Sequence, residues 1–120
     1  YIFHHGGYFY LFVSFDQCCR GVRSTYRIMV SRAAKITGPY SDKNGKPMMD
    51  GNATELLAGN DRWRGPGGQS VLQDGDRDLL IFHAYDGTNG HPYLQISTIA
   101  WENGWPRAAL AGSGQEKSQP

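Results

Sequence analysis

Gly7-Tyr8-Phe9-Tyr10-Leu11-Phe12-Val13-Ser14-Phe15-Asp16 returns further along the chain as Arg77-Asp78-Leu79-Leu80-Ile81-Phe82-His83-Ala84-Tyr85-Asp86. Each stretch is a strand-like run that ends in an aromatic residue followed by Asp. Each leads into a polar, glycine-containing loop, Gln17 to Ser24 in the first copy and Gly87 to Pro92 in the second. A further strand pattern follows, Tyr26-Arg27-Ile28-Met29-Val30-Ser31 and then Tyr93-Leu94-Gln95-Ile96-Ser97-Thr98-Ile99. The copies close on Gly38-Pro39-Tyr40 and Gly104-Trp105-Pro106. A repeat of four-stranded units is how β-propeller blades look in sequence. The spacing predicts one blade within 1–50 and a second within 69–110, with little helix. Two blades cannot close a ring, so the chain reads as a portion of a larger protein.

Bulk properties agree with an all-β reading. The chain has 120 residues, with 16 glycines and 6 prolines, the profile of a turn-rich β protein. A formal net charge of +1 gives no electrostatic case for a nucleic-acid partner or an anionic membrane surface. No apolar run approaches the roughly 20 residues needed to span a bilayer. No leader pattern is visible, since the chain opens directly on a strand pattern.

Local signals place the turns. His4-His5-Gly6-Gly7 and Asp74-Gly75-Asp76-Arg77 read as hairpin turns, and Lys43-Asn44-Gly45-Lys46 as an Asn-Gly turn. Tyr8 to Phe15 is apolar on alternate and intervening positions alike, which predicts burial of both faces. Met48 to Leu57 is weakly patterned. Ala58 to Gly68 reads as a long glycine-rich loop carrying Arg62, Trp63 and Arg64. The last ten residues, 111–120, read as a polar, disordered tail. Cys18 and Cys19 are the only cysteines. Being adjacent, they cannot staple distant segments. Two thiols in a tight loop and a vicinal disulfide are the open readings.

Three blocks together resemble a known family. They are Ser14-Phe15-Asp16-Gln17-Cys18-Cys19-Arg20-Gly21-Val22 with Ser24-Thr25-Tyr26, then Arg64-Gly65-Pro66-Gly67-Gly68-Gln69-Ser70-Val71, then Phe82-His83-Ala84-Tyr85-Asp86. They are similar to the endo-arabinanases among the family 43 glycoside hydrolases. The double-cysteine block points to arabinanases rather than to xylosidases of the same family.

The resemblance implies the last two blades of a five-bladed β-propeller over 1–110, and missing N-terminal blades as partners. It also implies a secreted parent that hydrolyses α-1,5-linked arabinan, a pectin side chain, by inversion. Inversion needs an acid and a base about 6.5–9.5 Å apart. The resemblance places the general acid just upstream of Tyr1 and the other carboxylates in earlier blades, so no catalytic residue is expected in this chain. Expected substrate contacts are Phe15, Asp16, Cys18, Cys19, Arg20, Trp63, Gln69, Ser70 and His83. Trp63 would be a stacking platform for a sugar ring. The family holds a metal ion, usually calcium, through a His after the Gly-Pro-Gly stretch. Gln69 is the expected occupant of that place, and its amide oxygen is a possible calcium ligand.

Taken from the residues alone, Asp16 and Asp86 suit loop caps at the ends of inner strands. Asp74, Asp76 and Asp78 suit solvated turn chemistry, and His83 suits a buried, hydrogen-bonded ring. His4, His5 and His91 fall in expected turns, and Trp101 and Trp105 in the core of the last blade. Rival readings are an arabinofuranosidase or xylosidase of the same family, and a non-catalytic carbohydrate-binding propeller piece.

Overall fold

The computed structural model describes residues 1–111, so the expected tail lies, beyond Ala111, outside the described residues. Eight strands run in chain order: β1 (Ile2–His5), β2 (Tyr8–Phe15), β3 (Arg27–Ala33), β4 (Thr54–Leu57), β5 (Trp63–Asp74), β6 (Arg77–Asp86), β7 (Pro92–Glu102) and β8 (Trp105–Arg107). They form two four-stranded sheets, ordered β1-β2-β3-β4 and β5-β6-β7-β8. Every neighbouring pair is antiparallel. The sequence echo is therefore structural, with β2 and β3 corresponding to β6 and β7. Among the described residues there is no α-helix, only 3₁₀ turns at Gly21–Arg23 and Met48–Asp50.

The turns follow their chemistry. Gly6 and Gly7 both take positive φ (57° and 87°), which is what a two-residue hairpin between right-twisted strands requires. At the Asn-Gly turn, Asp42 Oδ1 accepts from the backbone N–H groups of Asn44 and Lys46.

Both blades are longer than the sequence pattern indicates. The first continues to Leu57, because the weakly patterned stretch supplies β4 against β3 through Ile28↔Leu57 and Val30↔Thr54. The second starts at Trp63, inside the stretch read as a loop. Glycines there do not break the strand but bend it: the β5–β6 register shifts between Arg64 and Gly67 and again between Gly67 and Ser70, with Gly65 and Gly68 at positive φ. Such bulges let a strand keep pairing while it changes direction.

The core lies between the sheets. Tyr10, Phe12, Ile28, Val30 and Leu57 meet Trp63, Val71, Leu80, Phe82, Ala84, Ile99, Trp105 and Leu110. Burial of β2 is one-sided rather than complete. Tyr10 and Phe12 are buried, Leu11 and Val13 are half-buried, and Tyr8 is exposed. Only one face of the strand meets the second sheet.

A latch closes the junction at one end. The His5 ring stacks on Trp101 at 3.9 Å, and Trp101 Nε1 donates to Asp78 Oδ2 at 2.8 Å. Tyr10 Oη donates to the Gly104 carbonyl at 2.6 Å. Arg32 donates to the same carbonyl while its guanidinium lies over the rings of Tyr8 and Trp105. His4 and His5 thus belong to a strand and not to a turn. Asp78 is on β6, engaged by Trp101, and is not a solvated turn residue. Trp105 is buried as expected, whereas Trp101 is half-buried across the junction of the two sheets.

Truncating the core should show how much of the stability is in this junction. Phe82→Ala is expected to cost about 3–5 kcal/mol, while Ile36→Ala, at a residue 55% exposed, should stay within about 0.5 kcal/mol. Urea denaturation followed by tryptophan fluorescence compares the two; equal midpoints would contradict this account of the core.

Candidate functional site

At the end opposite the latch, β2, β5 and β6 bring together residues from all three sequence blocks. Ser14 Oγ donates to Gln69 Oε1 at 2.9 Å and accepts from the Gly68 backbone N–H at 3.2 Å. A side chain on Gly68 would bring its Cβ to 2.8 Å from His83 Nδ1, so the glycine makes room for the imidazole. Tyr26 lies 6.2 Å from the His83 ring, centroid to centroid, and packs on Gly67. The Tyr85 ring meets His83 edge-on at 5.4 Å and 84°. The Tyr85 hydroxyl in turn accepts from the Cys19 backbone N–H at 2.9 Å.

His83 is half-buried and its Nε2 has no hydrogen-bond partner among the described residues. The expected hydrogen-bonded core histidine is therefore corrected: packing holds the ring, and one nitrogen is left over. Burial pushes its pKa below the ordinary value, which keeps the ring neutral at neutral pH. Ser14 and Gln69 are bonded to each other and the His83 ring abuts Gly68 beside them, so uncharged polar groups from three strands border this glycine. Uncharged donors and acceptors beside aromatic rings suit a neutral polyhydroxylated ligand.

Cys18 and Cys19 are joined to each other as a vicinal disulfide, which corrects the two-thiol alternative. The loop reverses tightly here, with Asp16, Cys19 and Gly21 all at positive φ. It also binds the blades together. Arg20 N–H donates to Ser24 Oγ, Gly21 abuts Gly90, and Arg64 reaches the Val22 carbonyl.

Phe15 is half-buried under the Arg27 guanidinium. Asp16 is tied to Arg27 Nε at 2.8 Å at the exposed rim. Arg20 is exposed on the loop, and Ser70 lies in register with Ile81 one residue beyond Gln69. Trp63 is corrected. It is 9% exposed within the core, edge-on to Tyr93 and covered by Arg62, so it presents no open face to a sugar ring. Residues that pattern reading passed over are Ser14, Tyr26 and Tyr85. All three lie inside the three blocks, and that co-occurrence was the available signal.

Asp86 is a buried loop cap, as its position suggests. Its Oδ1 accepts from the Thr88 hydroxyl at 2.6 Å and the Thr88 N–H at 2.8 Å, and pairs with Arg62 at 2.7 Å. The Thr88 bonds, followed by Arg62, hold its pKa down at about 2 against the opposing effect of burial.

By themselves the donors this chain places around Gln69 do not make up a calcium shell. The ion takes about six to eight oxygens and favours carboxylates. Gln69 Oε1 is already accepting from Ser14, and among the described residues no three His, Cys, Asp or Glu side chains converge.

Two consecutive four-stranded antiparallel sheets packed on one another, with a mouth of strand ends and loops, are blades of propeller type. Residues 1–106 match the model of the glycosyl hydrolases family 43, and the chain belongs to that family. It is 51% identical over 104 residues to the extracellular endo-alpha-(1->5)-L-arabinanase 1 of Bacillus subtilis (strain 168), covering 86% of this chain and 31% of that protein. It is 39% identical over 109 residues to the extracellular exo-alpha-(1->5)-L-arabinofuranosidase ArbA of Cellvibrio japonicus (strain Ueda107), covering 89% and 31%. Among solved structures, the alpha-L-arabinanase of Cellvibrio cellulosa complexed with arabinohexaose superposes with a TM-score of 0.87 at 39% identity, over 90% of this chain and 35% of that one. The chain spans about a third of the length of the curated relatives it matches.

Acid should reveal the Asp86 cap. A carboxylate depressed in the folded state contributes stability above its unfolded pKa and loses it as pH falls through the folded one. That contribution should fade between about pH 4 and pH 2. Asp86→Asn should lower stability at pH 7 and flatten this part of the acid limb, measured as denaturation midpoint against pH. An unchanged acid limb would contradict the assignment.

Proposed function

We propose that this chain is the C-terminal two-blade part of a five-bladed, secreted glycoside hydrolase that cleaves α-1,5-linked arabinan by inversion. It would contribute part of the saccharide cleft and, alone, no turnover. The observation that carries the reading is the neutral cluster Ser14–Gln69–His83 beside the Cys18–Cys19 loop, in a family 43 chain. Support for the substrate comes from relatives: the Bacillus protein is named an arabinanase, and the Cellvibrio structure was solved with arabinohexaose. The Bacillus and Cellvibrio relatives are both named extracellular. Endo action is favoured by the higher identity to the endo enzyme. The exo-acting Cellvibrio relative supports the second reading, an arabinofuranosidase.

The carboxylates of the chain support the view that acid and base lie elsewhere. Arg27 pairs with both Asp16 and Glu55, Arg77 with Asp74, and Arg107 with Glu102. Asp78 accepts from Trp101, Asp42 caps its turn, and Asp86 caps its loop. None of these stands beside the Ser14–Gln69–His83 cluster as an unpaired carboxylate, and general acid–base chemistry needs two so placed, each worth about 10²–10⁴-fold. The missing blades also have a surface to cover. The far face of the second sheet carries Leu72, Leu94 and Ile96, each more than half exposed, with Leu72 in register with Leu79 and Ile96 with Ile81.

The chain alone should release no reducing ends from linear arabinan, whereas a parent carrying the upstream blades should. In that parent, Gln69→Ala and His83→Ala should each weaken arabino-oligosaccharide binding about tenfold, the scale of one lost hydrogen bond, measured by isothermal titration. Cleavage by the isolated chain, abolished by Asp16→Asn or Asp86→Asn, would overturn the proposal.

A further inference from the structure

We propose that the Cys18–Cys19 disulfide is a redox-sensitive positioning element for His83, acting through the hydrogen bond from the Cys19 backbone N–H to the Tyr85 hydroxyl. This deepens the reading of the mouth as a ligand site and rests on it, but its test involves no saccharide, so the two can fail separately.

The geometry forms a short relay. Cys19 is exposed and Cys18 half-buried, so a reductant can reach Cys19 Sγ. Closing a ring across adjacent residues restricts the peptide between them, and Cys19 sits at φ 69°, a region that residues with a Cβ seldom adopt. In that conformation its N–H points at Tyr85 Oη, 2.9 Å away. Tyr85 is buried and sets its ring edge against His83. His83 has no hydrogen bond at Nε2 to hold it independently. Its ring is fixed by Tyr85, by Tyr26 and by the bare backbone of Gly68, so any movement of Tyr85 is felt there.

The rest of the loop has separate anchors. Thr25 and Tyr26 N–H groups donate to the Gln17 carbonyl, Arg20 donates to Ser24, and Gly21 packs on Gly90. Opening the disulfide should therefore release Cys19 without unfolding the blades.

The chemistry is a two-electron exchange with a dithiol. A reductant thiolate attacks Cys19 Sγ, the Sγ–Sγ bond breaks, and Cys18 leaves as a thiolate that takes up a proton. The second reductant thiol then attacks its own sulfur in the mixed disulfide and releases Cys19 as a thiol. The reductant ends as a cyclic disulfide and the cysteine pair carries the two electrons.

The test uses the full 120-residue chain with dithiothreitol as the reductant. Thiol titration should count none before treatment and two after it. Imidazole ring resonances of His83, assigned with His83→Gln, should shift on reduction while amide dispersion is retained. Cys18→Ser should reproduce the shifted position without reductant. In Tyr85→Phe the ring remains but the hydroxyl is gone, so His83 should already be displaced and reduction should move it no further, the non-additivity expected of coupled groups. Two thiols in untreated protein would overturn the proposal. So would an unmoved His83, a Tyr85→Phe response equal to that of the unsubstituted chain, or loss of amide dispersion on reduction, which would make the disulfide a support of the fold rather than of the ring.

Discussion

Burial of Phe12 and Val30 from one sheet in the same core as Leu80 and Phe82 from the other is the constraint on which the rest of the molecule depends. Each of the four is at most 2% exposed, and each large apolar side chain so buried contributes about 1.5–3 kcal/mol. An isolated four-stranded sheet has no means of burying even one face. Two sheets in contact bury one face each and leave their outer faces. In a strand the side chains alternate, so the register that sends Leu80, Phe82 and Ala84 inward also sends Leu79 and Ile81 the other way. The apolar outer face with Leu94 and Ile96 is thus the unavoidable complement of the core, and it is consistent with a sheet built to sit among further blades.

The two ends of this junction are built differently. At the latch, aromatic rings, the Arg32 guanidinium and the Gly104 carbonyl meet in direct contacts that tie β1–β3 to β7 and β8. At the mouth, the approach is made by backbone. Gly65 lies against Ser24, Gly67 against Tyr26, and Gly87 against the Asp61 carbonyl. At each of these positions a Cβ would collide with its neighbour. The glycines that look like a loop in sequence are therefore needed where strand and loop backbones come closest.

How much of this is legible in the sequence depends on which signal each residue carries. The β2/β6 and β3/β7 correspondence was readable because apolar runs ending in aromatic-Asp recur with matching loops. β4 was not, since Thr54–Leu57 is a four-residue strand whose identity comes from pairing with β3. β5 was obscured because glycine lowers strand propensity, while here its positive-φ bulges are what shape the strand. Trp63 reads as a platform because the glycine-rich stretch around it reads as a loop leading to the second blade, yet Asn60 turns the chain so that the indole faces inward: Asn60 Oδ1 accepts from the N–H groups of Arg62 and Trp63. The adjacency of Cys18 and Cys19 excluded a long-range staple but could not choose between thiols and a ring. The choice follows from loop conformation, which adjacency does not encode.

The charged groups of the chain are distributed unevenly between its rim and its mouth. Asp16 and Glu55 pair with Arg27 at the rim, Asp86 caps its loop beside Arg62, and Asp78 accepts from Trp101, so each of these charges is fixed in place. Asp86 held this way is poorly suited to accept and return a proton, because its depressed pKa lies far from neutral pH. The Ser14–Gln69–His83 cluster carries the opposite character. It is neutral, half-buried and only partly satisfied, with Nε2 of His83 still lacking a partner among the described residues. A buried polar atom without a partner is costly unless something completes it. What this chain brings to its mouth is therefore a set of hydrogen-bonding side chains held in place by packing.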